Sequence, residues 1–459
     1  MLLLFCSMGK KSLLLLLLIC IGMPGAFAKK IPPRPTDTVK KDTSGSHISG
    51  YHTSTGSQWK AVPSDVSSGS RVNSTCISPV GIGTLTGAYA VICDTVIAPP
   101  PETSHLRISL ITCGPGFSEI FEVFGHTAIR IIDSLNKTDM VYNYGTFNGF
   151  EKNFELKFMQ GKASYYLSVY PFDDFMQEYV EAKRSVSEQV LTLTDAQEKI
   201  FAEYLNWNAE PANRGYKYDF FYDNCATRIR DLFPETVSKD FKFGHVVPSI
   251  KNYTFRDIIN ERFYTVLWER FGINILLGSR IDKVMTDKDI MFLPDYLSLG
   301  VKGAVSNGQP VGANVETMLP GNPAPEPPVN GPLILNWCLA ILTVLGLSLP
   351  QLKVLGKVMS MFMLIVTGLL GCLILVMWFG TNHQGCGNNF NILWALPTNL
   401  FVAFAKPKGK GKYAIIAIGL IIVSLLVHII GIQRVIMPEF LPLFLALVYI
   451  YGIIYRNDK

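Results

Sequence analysis

The chemistry-bearing feature of this sequence is one cysteine at the start of a predicted helix. Cys225 follows Asn224, a residue type that caps helices well, and apolar residues recur at helical spacing from Ala226 to Phe233. Pro234 is expected to limit this helix. A thiol in the first turn of a helix lies at the positive end of the helix dipole, which favours the thiolate. The position of Cys225 therefore indicates a nucleophile.

A cysteine nucleophile needs a base within hydrogen-bond reach, and His126 is the histidine in the most strand-rich surroundings. It opens a predicted strand at 126–133, which a polar turn joins to a second strand at 139–146. In such a hairpin the imidazole lies near Asn143 and Tyr144, and either side chain can orient it through its second nitrogen. The sequence leaves that choice open. The blander interpretation is a packed core histidine and a buried, inert cysteine.

Several polar residues are candidates for substrate binding. Arg130 could contact a phosphate, although ion pairing or solvation would explain it equally well. The loop at 378–394 combines a histidine, several asparagines and flanking tryptophans; it could bind a lipid headgroup or an acceptor, or be an ordinary interfacial loop. The candidate substrate-binding residues are Asn224, Arg130, Arg228, Tyr144, His383, Asn388 and Asn391.

Composition excludes some classes of partner and cofactor. The 459 residues are 49% hydrophobic with a net charge of +5, and no dense basic stripe occurs outside the membrane loops, so nucleic acid is not an expected partner. The nine cysteines form no CxxC pair, and we predict neither a metal nor a cofactor. Cys76 and Cys93 could form a disulfide in an oxidising compartment, which the sequence does not settle. Cys113, the rival thiol, has no feature that would depress its pKa.

The chain divides by composition into five segments. Lys10 and Lys11 precede an apolar run, and Ala26-Phe27-Ala28 resembles a cleavage site, so a signal peptide is predicted at the N-terminus, whether or not it is removed. The segments are a signal peptide at 1–28, a Ser/Thr/Gly-rich flexible segment at 29–105, an exported catalytic thiol domain at 106–300, a Pro/Gly-rich linker at 301–332 and a membrane domain at 333–459.

The exported segment has the pattern of an α+β domain. Strands are predicted at 106–112, 126–133, 139–146 and 163–169, with a short helix at 119–124. Longer helices are predicted at 172–184, 194–207 and 225–233, and Thr194 is expected to cap the second of these. Antiparallel strands beside separate helices indicate the α+β class.

The C-terminal segment predicts an all-α transmembrane domain of five helices, near 333–349, 358–379, 391–405, 413–432 and 439–455. If the five spans cross in turn, the basic loops and the C-terminus fall on one side, which the positive-inside rule makes cytoplasmic. The globular domain then lies outside, as the signal peptide independently requires.

An ordered set of motifs resembles the Lnb-type family. In the exported part these are Leu110–Gly116, Phe124–Arg130, Tyr142–Phe147, Phe158–Gly161, Asp223–Arg228, Gly272–Ser279 and Phe292–Leu297. In the membrane part they are Thr381–His383 and Asn391–Trp394. The resemblance spans about 106–455. The long segment before residue 106 departs from the usual pattern of the family but removes no motif residue.

The resemblance implies a fold and an activity. The family's exported domain is similar to circularly permuted papain-like, NlpC/P60-related folds, in which the histidine strand precedes the cysteine helix, and its members include lipoprotein N-acyltransferases of Gram-negative bacteria. By that resemblance Cys225 is the nucleophile and His126 the base. The candidate third catalytic residue, Asn143, comes from the hairpin described above and not from the resemblance, and the identity of the third member stays open. A phospholipid would supply the acyl chain and a diacylated lipoprotein would accept it, at the bacterial inner membrane with the catalytic domain in the periplasm.

Two other function classes remain open from the sequence. A papain-like cell-wall peptidase or amidase would use the spans only as anchorage, and five spans are more than anchorage requires. A non-catalytic membrane scaffold would make Cys225 and His126 dispensable. The sequence also leaves open the acyl-chain preference, the identity of the acceptor and the oligomeric state.

Overall fold

The computed structural model describes residues 104–149, 151, 153–405 and 409–458. The predicted signal peptide, nearly all of the Ser/Thr/Gly-rich segment and the Cys76–Cys93 pair lie outside the described residues.

The first half of the described chain is built on an antiparallel sheet. The strands are β1 (Leu106–Cys113), β2 (His126–Asp133), β3 (Thr138–Phe147), β4 (Ser164–Pro171), β5 (Val186–Leu191), β6 (Gly215–Lys217), β7 (Val305–Ser306), β8 (Gln309–Pro310) and β9 (Gly312–Leu319). Seven of them form one sheet in the order β6-β4-β3-β2-β1-β5-β9, while β7 and β8 pair separately. All the neighbouring pairs in the large sheet are antiparallel.

Helices cover both faces of this sheet. They are α1 (Phe154–Met159), α2 (Phe172–Ala182), α3 (Asp195–Ala209), α4 (Cys225–Thr236), α5 (Phe255–Arg262), α6 (Leu267–Leu276), α7 (Asp287–Ile290) and α8 (Pro294–Lys302), with 3-10 helices at Ile120–Phe124 and Ser279–Asp282. Because strand side chains alternate, Ile129 and Ile131 of β2 join the core beneath α3 and α4, and Ala128 joins the core beneath α2. The α+β class is confirmed.

Most predicted elements of this half are present, but two differ. α4 continues past Pro234 to Thr236, so the prediction that the proline limits it is wrong. The proline removes only its own bond to the preceding turn, and the Val237 N–H still donates to the Phe233 carbonyl at 2.9 Å. Within the stretch predicted as a linker, residues 312–319 form β9 at the edge of the sheet.

The second half is helical. Its helices are α9 (Gly331–Ser348), α10 (Lys353–Gly380), α11 (Asn399–Phe404), α12 (Gly411–Ile429) and α13 (Met437–Asp458), with 3-10 helices at Pro350–Leu352, Gln384–Cys386 and Phe390–Leu393. Within the described residues four helical segments, 331–348, 350–380, 411–429 and 437–458, are long and apolar enough to cross a membrane.

The predicted third membrane helix at 391–405 is not a single helix, so the described residues do not confirm a fifth membrane helix. That stretch holds one 3-10 turn and the six residues of α11, because Pro397 between them lacks an N–H to continue a helix. Gly368 and Gly371 of α10 lie so close to this irregular stretch that a Cβ on either would come within 3 Å of it.

This irregular stretch nevertheless runs from one end of the helical bundle to the other. At its start, the Asn391 amide donates to the Asn274 carbonyl at the end of α6, at 3.0 Å. At its far end, the Lys410 Nζ donates to the Val402 carbonyl at 2.8 Å, and the next residue, Gly411, donates to the carboxylate of Asp458, the last residue of α13. Midway, the buried Asn399 bonds to Thr367 and accepts from two tyrosine hydroxyls, Tyr413 and Tyr451. Irregular backbone is tolerated at this depth because such polar groups surround it.

Candidate active site

Cys225 is the first residue of α4, and its position is fixed by a capping box. The Asn224 Oδ1 accepts from the Thr227 N–H at 2.9 Å, and the Thr227 Oγ1 accepts from the Asn224 N–H at 2.7 Å. The other atom of the Asn224 amide, Nδ2, donates to the carbonyls of Phe220 and Phe292. The cap therefore ties the start of the helix to the loop before it and to the chain before α8.

His126 begins β2 and reaches the thiol from the end of the sheet. Its Nε2–H donates to the Asn143 Oδ1 at 2.6 Å, and the Asn143 Nδ2 donates to the Tyr170 hydroxyl at 2.7 Å. Because an amide oxygen only accepts, Nε2 carries a proton and Nδ1 remains for the hydrogen bond with Cys225. Gly145, at a φ of 99°, lies beneath the ring, where a Cβ would be 3.7 Å from Cε1. The structure thus brings Cys225, His126 and Asn143 together.

The environment favours a thiolate–imidazolium pair. Burial raises the pKa of the Cys225 thiol, but the charge and hydrogen bond of His126, with the backbone N–H groups of Thr127 and Ala226, outweigh burial and hold the pKa below its ordinary value. Burial lowers the pKa of His126, but the Cys225 thiolate and the hydrogen bonds to Cys225 and Asn143 raise it above its ordinary value. The two shifts have opposite signs, as expected for an activated nucleophile beside its base.

Cys113, the rival thiol, lies on the strand next to the histidine but is in a different state. It pairs with His126 across β1 and β2, yet it is 1% exposed, and burial raises its pKa to about 12. Cys225 is only half-buried. Of the two, only Cys225 combines access with a depressed pKa.

Two tyrosines that the sequence analysis did not single out lie beside the thiol. Burial and the neighbouring Cys225 thiolate raise the pKa values of Tyr216 and Tyr218 well above the ordinary range, so both hydroxyls stay protonated. The Tyr216 hydroxyl is buried and has no hydrogen-bond partner among the described residues. Their place in β6 and in the loop before α4 could have drawn attention to them, but no motif marks them.

Three candidate substrate-binding residues are engaged elsewhere. Arg130 makes ion pairs with Asp139 and Glu188 and lies over the Phe172 ring at 3.6 Å. Arg228 pairs with Asp223 and lies over the Tyr216 ring at 4.3 Å. Tyr144 is 2% exposed, and its hydroxyl donates to the Asn208 Oδ1 at 2.6 Å, away from the imidazole. These contacts correspond to ion pairing and core packing rather than to an open ligand site.

The loop after α10 lies against the loop that leads to Cys225. Gly385 of this loop packs against the Phe221 ring, and its carbonyl accepts from the Gly278 N–H at 2.9 Å. The Asn391 amide donates to two carbonyls at the end of α6, and its oxygen accepts from the Trp394 indole. The loop therefore joins the two halves through contacts with the chain that precedes Cys225 and with the end of α6.

The other candidates in this loop also have structural partners. The His383 Nε2 bonds to the carbonyls of Phe158 and Met159 at the end of α1, at 3.0 and 3.1 Å. Asn388 has a φ of 54°, and its carbonyl accepts from the Ser279 N–H at 3.0 Å. Asn224, as described above, is fully used as a helix cap. Within the described residues, the hydrogen bonds to the thiol come from His126 and from the backbone N–H groups of Thr127 and Ala226, not from these side chains. Nor do the described residues contain a group of three or more His, Cys, Asp or Glu side chains that could hold a metal ion.

Comparison with known protein families gives a result that is independent of the geometry of the site. Residues 102–261 match the family model described as the Lnb N-terminal periplasmic domain, and residues 326–459 match the model described as the Lnb transmembrane domain. Together the two matches cover more than half of the chain, in the order periplasmic domain and then membrane domain. No curated protein and no solved structure matches the chain.

Proposed function

This chain belongs to the Lnb-type family, and on that premise we propose that it is a membrane-bound thiol acyltransferase. It takes an acyl chain from a phospholipid, holds it on Cys225 as a thioester and transfers it to the N-terminal amine of a diacylated lipoprotein. The observation that carries the proposal is the half-buried Cys225 at a helix start, paired with an imidazole that Asn143 orients.

In the first half of the reaction, the Cys225 thiolate attacks the carbonyl carbon of a phospholipid ester. The carbonyl oxygen becomes an oxyanion, which backbone N–H groups at the start of α4 can stabilise. Collapse of this intermediate breaks the ester C–O bond, and the departing glycerol oxygen takes the proton of the His126 imidazolium. The products are a lysophospholipid and an acyl thioester on Cys225.

In the second half, a neutral amine attacks the thioester carbonyl. His126 takes the proton that the amine loses, the C–S bond breaks, and the thiolate–imidazolium pair is restored with an amide as the product. An α-amino group has an ordinary pKa of about 7.7–8.0, so a useful fraction is neutral near pH 7. Water competes for the thioester, which favours a site shielded by the membrane loop.

The proposal includes a fold and an orientation. We assign the exported domain to the permuted papain-like, NlpC/P60-related class, since the histidine strand precedes the cysteine helix. We place the C-terminus in the cytoplasm, because Lys353, Lys357 and Arg456 fall at the end of the bundle away from the periplasmic domain.

Acyl-enzyme trapping tests the proposal. The purified chain is incubated with phospholipid labelled in its acyl chain, and the protein is examined by mass spectrometry before and after hydroxylamine, which cleaves thioesters. We expect a hydroxylamine-sensitive acyl adduct on Cys225, and transfer of the label to a diacylglyceryl-cysteine peptide added afterwards.

Matched variants make the result specific. Cys225→Ala is expected to abolish both the adduct and the transfer, whereas Cys113→Ala keeps both, because Cys113 is buried with a raised pKa. Full transfer by Cys225→Ala would contradict the nucleophile assignment. Cleavage of cell-wall peptides with no acyl adduct would favour the peptidase class instead.

A further inference from the structure

The six-residue helix α1 of the sheet domain is attached to the outer end of a membrane helix. The carbonyls of Phe158 and Met159 in its last turn both accept from the His383 Nε2, and the Gln160 carbonyl accepts from the Asn382 N–H at 2.9 Å. Helix ends are usually satisfied by water or by their own chain. Here the loop that leaves α10 satisfies them, so α1 lies at the level where the membrane helix ends.

The chain after α1 fits closely against the same loop. Gly161 has a φ of 66°, and a Cβ on it would lie 3.1 Å from Asn382. A side chain at this position is therefore disfavoured twice, by backbone strain and by contact. The attachment of α1 to the membrane half is a close fit.

Exposed apolar side chains occur on both sides of this attachment. Val376 and Phe379 in the last turns of α10 are 58% and 73% exposed, and Leu156 of α1 is 48% exposed. A single exposed leucine on a soluble surface is ordinary. Leu156, however, lies within one helical turn of Phe158 and Met159, which bind the α10 loop, so it lies near the end of a membrane helix whose own apolar side chains are exposed. The exposed Lys162 follows α1 and places a cation at the same level.

A series of aromatic rings connects α1 with the residues beside the thiol. Phe154 stacks on Phe147 at 4.9 Å and lies 6.5 Å from Tyr165, which in turn stacks on Tyr218 at 4.6 Å. Tyr218 precedes α4 and lies beside Cys225. The ring contacts therefore run from α1 through the core to the candidate nucleophile.

We propose that Leu156 of α1 and the outer end of α10 form the entrance through which a phospholipid of the surrounding bilayer reaches Cys225. This inference rests on the proposed function. An acyl chain lies against Leu156 and Phe379 as the ester rises to the thiol, and Lys162 attracts the lipid phosphate. The occupant is a phospholipid because α1 is bound to the end of a membrane helix, and exposed apolar side chains there are accompanied by the cationic Lys162.

Two acyl donors distinguish an effect on the entry of phospholipid from an effect on the reaction at Cys225. The full chain is reconstituted in phospholipid nanodiscs, and acyl-enzyme formation is measured from the bilayer phospholipid and from a water-soluble short-chain nitrophenyl ester. We expect Leu156→Asp to lower the rate from phospholipid about tenfold, since a charge replaces an apolar contact, and to leave the soluble donor within about twofold. Phe379→Ser should act in the same direction.

Leu135→Asp is the matched control. Leu135 is 70% exposed in the turn between β2 and β3, at the end of the sheet away from His126, so the same substitution there should change neither rate. The proposed entrance would be overturned if Leu156→Asp lowered the rates from both donors equally or left the rate from phospholipid unchanged. It would also be overturned if Leu135→Asp lowered the rate from phospholipid as much as Leu156→Asp does. Failure of the unsubstituted chain to form an acyl-enzyme with either donor would instead overturn the proposed function.

Discussion

At the scale of single residues, the candidate site depends on which atoms of Cys225, His126 and Asn143 carry protons. The Asn143 Oδ1 can only accept, so it keeps a proton on Nε2 of His126 and turns Nδ1 towards Cys225. The pair is then charged over a pH window whose acid limit follows the lowered pKa of Cys225 and whose alkaline limit follows the raised pKa of His126. Anything that changes the Asn143 hydrogen bond should move the alkaline limit.

Substituting Asn143 in two ways should move that limit in opposite directions. Asn143→Ala removes a hydrogen bond that raises the pKa of His126, so the imidazolium loses its proton at lower pH and the alkaline limb of the rate profile shifts down. Asn143→Asp places a carboxylate beside the imidazolium, raises its pKa and shifts the limb up.

The measurement is the pH dependence of acyl-enzyme formation. At neutral pH we expect Asn143→Ala to lose about ten- to a hundredfold in rate, because a hydrogen bond to a charged group contributes about 1.5–3 kcal/mol. If the alkaline limb of the rate profile does not move, or moves in the same direction in Asn143→Ala and Asn143→Asp, then Asn143 does not orient His126.

At the scale of elements, the start of α4 was the part of the site that the sequence predicts best. A capping residue before Cys225, apolar residues at helical spacing and a hairpin that sets His126 near Asn143 are all local patterns. The choice between Asn143 and Tyr144 was not local, because it depends on Asn208 of α3, to which the Tyr144 hydroxyl bonds. The edge strand β9 was missed for a similar reason, since its pairing with β5 joins residues more than a hundred positions apart.

The cap of α4 should be more costly to remove than an ordinary cap. Asn224 is 5% exposed and makes one capping bond and two bonds to the carbonyls of Phe220 and Phe292. Asn224→Ala removes all three, and we expect it to destabilise the fold by about 2–4 kcal/mol. Thr194→Ala removes only the exposed cap of α3 and should cost about 1 kcal/mol.

Thermal unfolding of the purified variants, with the alkylation rate of Cys225, tests this prediction. The fall in Tm should be clearly larger for Asn224→Ala than for Thr194→Ala, and only the former should slow alkylation. If Asn224→Ala keeps its Tm but loses activity with lipid substrates, Asn224 binds substrate, as the sequence suggested, rather than holding the helix.

At the scale of the whole molecule, asparagines of the α10 loop join the two halves. The carbonyls that end α6 lack partners within their own helix, and the amides of Asn389 and Asn391 donate to three of them, at residues 274–276. A second connection pairs Arg434, after α12, with Asp257 at 3.0 Å. Spacing alone could not predict that these asparagines cap a helix of the other domain, since their amides would equally suit a polar ligand. The sequence did not predict that the stretch at 391–405 is interrupted, because its residues are as apolar as those of a continuous membrane helix.

If these amides set the height of the thiol above the bilayer, weakening them should uncouple lipid chemistry from thiol reactivity. Asn391→Leu leaves a carbonyl of α6 with fewer donors and removes a partner of the Trp394 indole. We expect the rate of acylation from bilayer phospholipid to fall at least about tenfold. The rate at which a soluble haloacetamide alkylates Cys225 should stay the same, because Asn391 lies in neither α4 nor β2, the elements that carry the thiol and its base.

Limited proteolysis supplies the second readout. Loosening of the two halves should expose the chain between β9 and α9, residues 320–330, which is already exposed along most of its length, to faster cleavage. The matched control is Asn322→Leu, within that segment, where the backbone N–H rather than the side chain bonds to the Lys183 carbonyl. Since it leaves the asparagines of the α10 loop intact, it should keep the lipid rate. Equal losses of lipid acylation and thiol alkylation in Asn391→Leu would mean that the substitution damages the catalytic domain itself, and that the height of the thiol is set by other contacts.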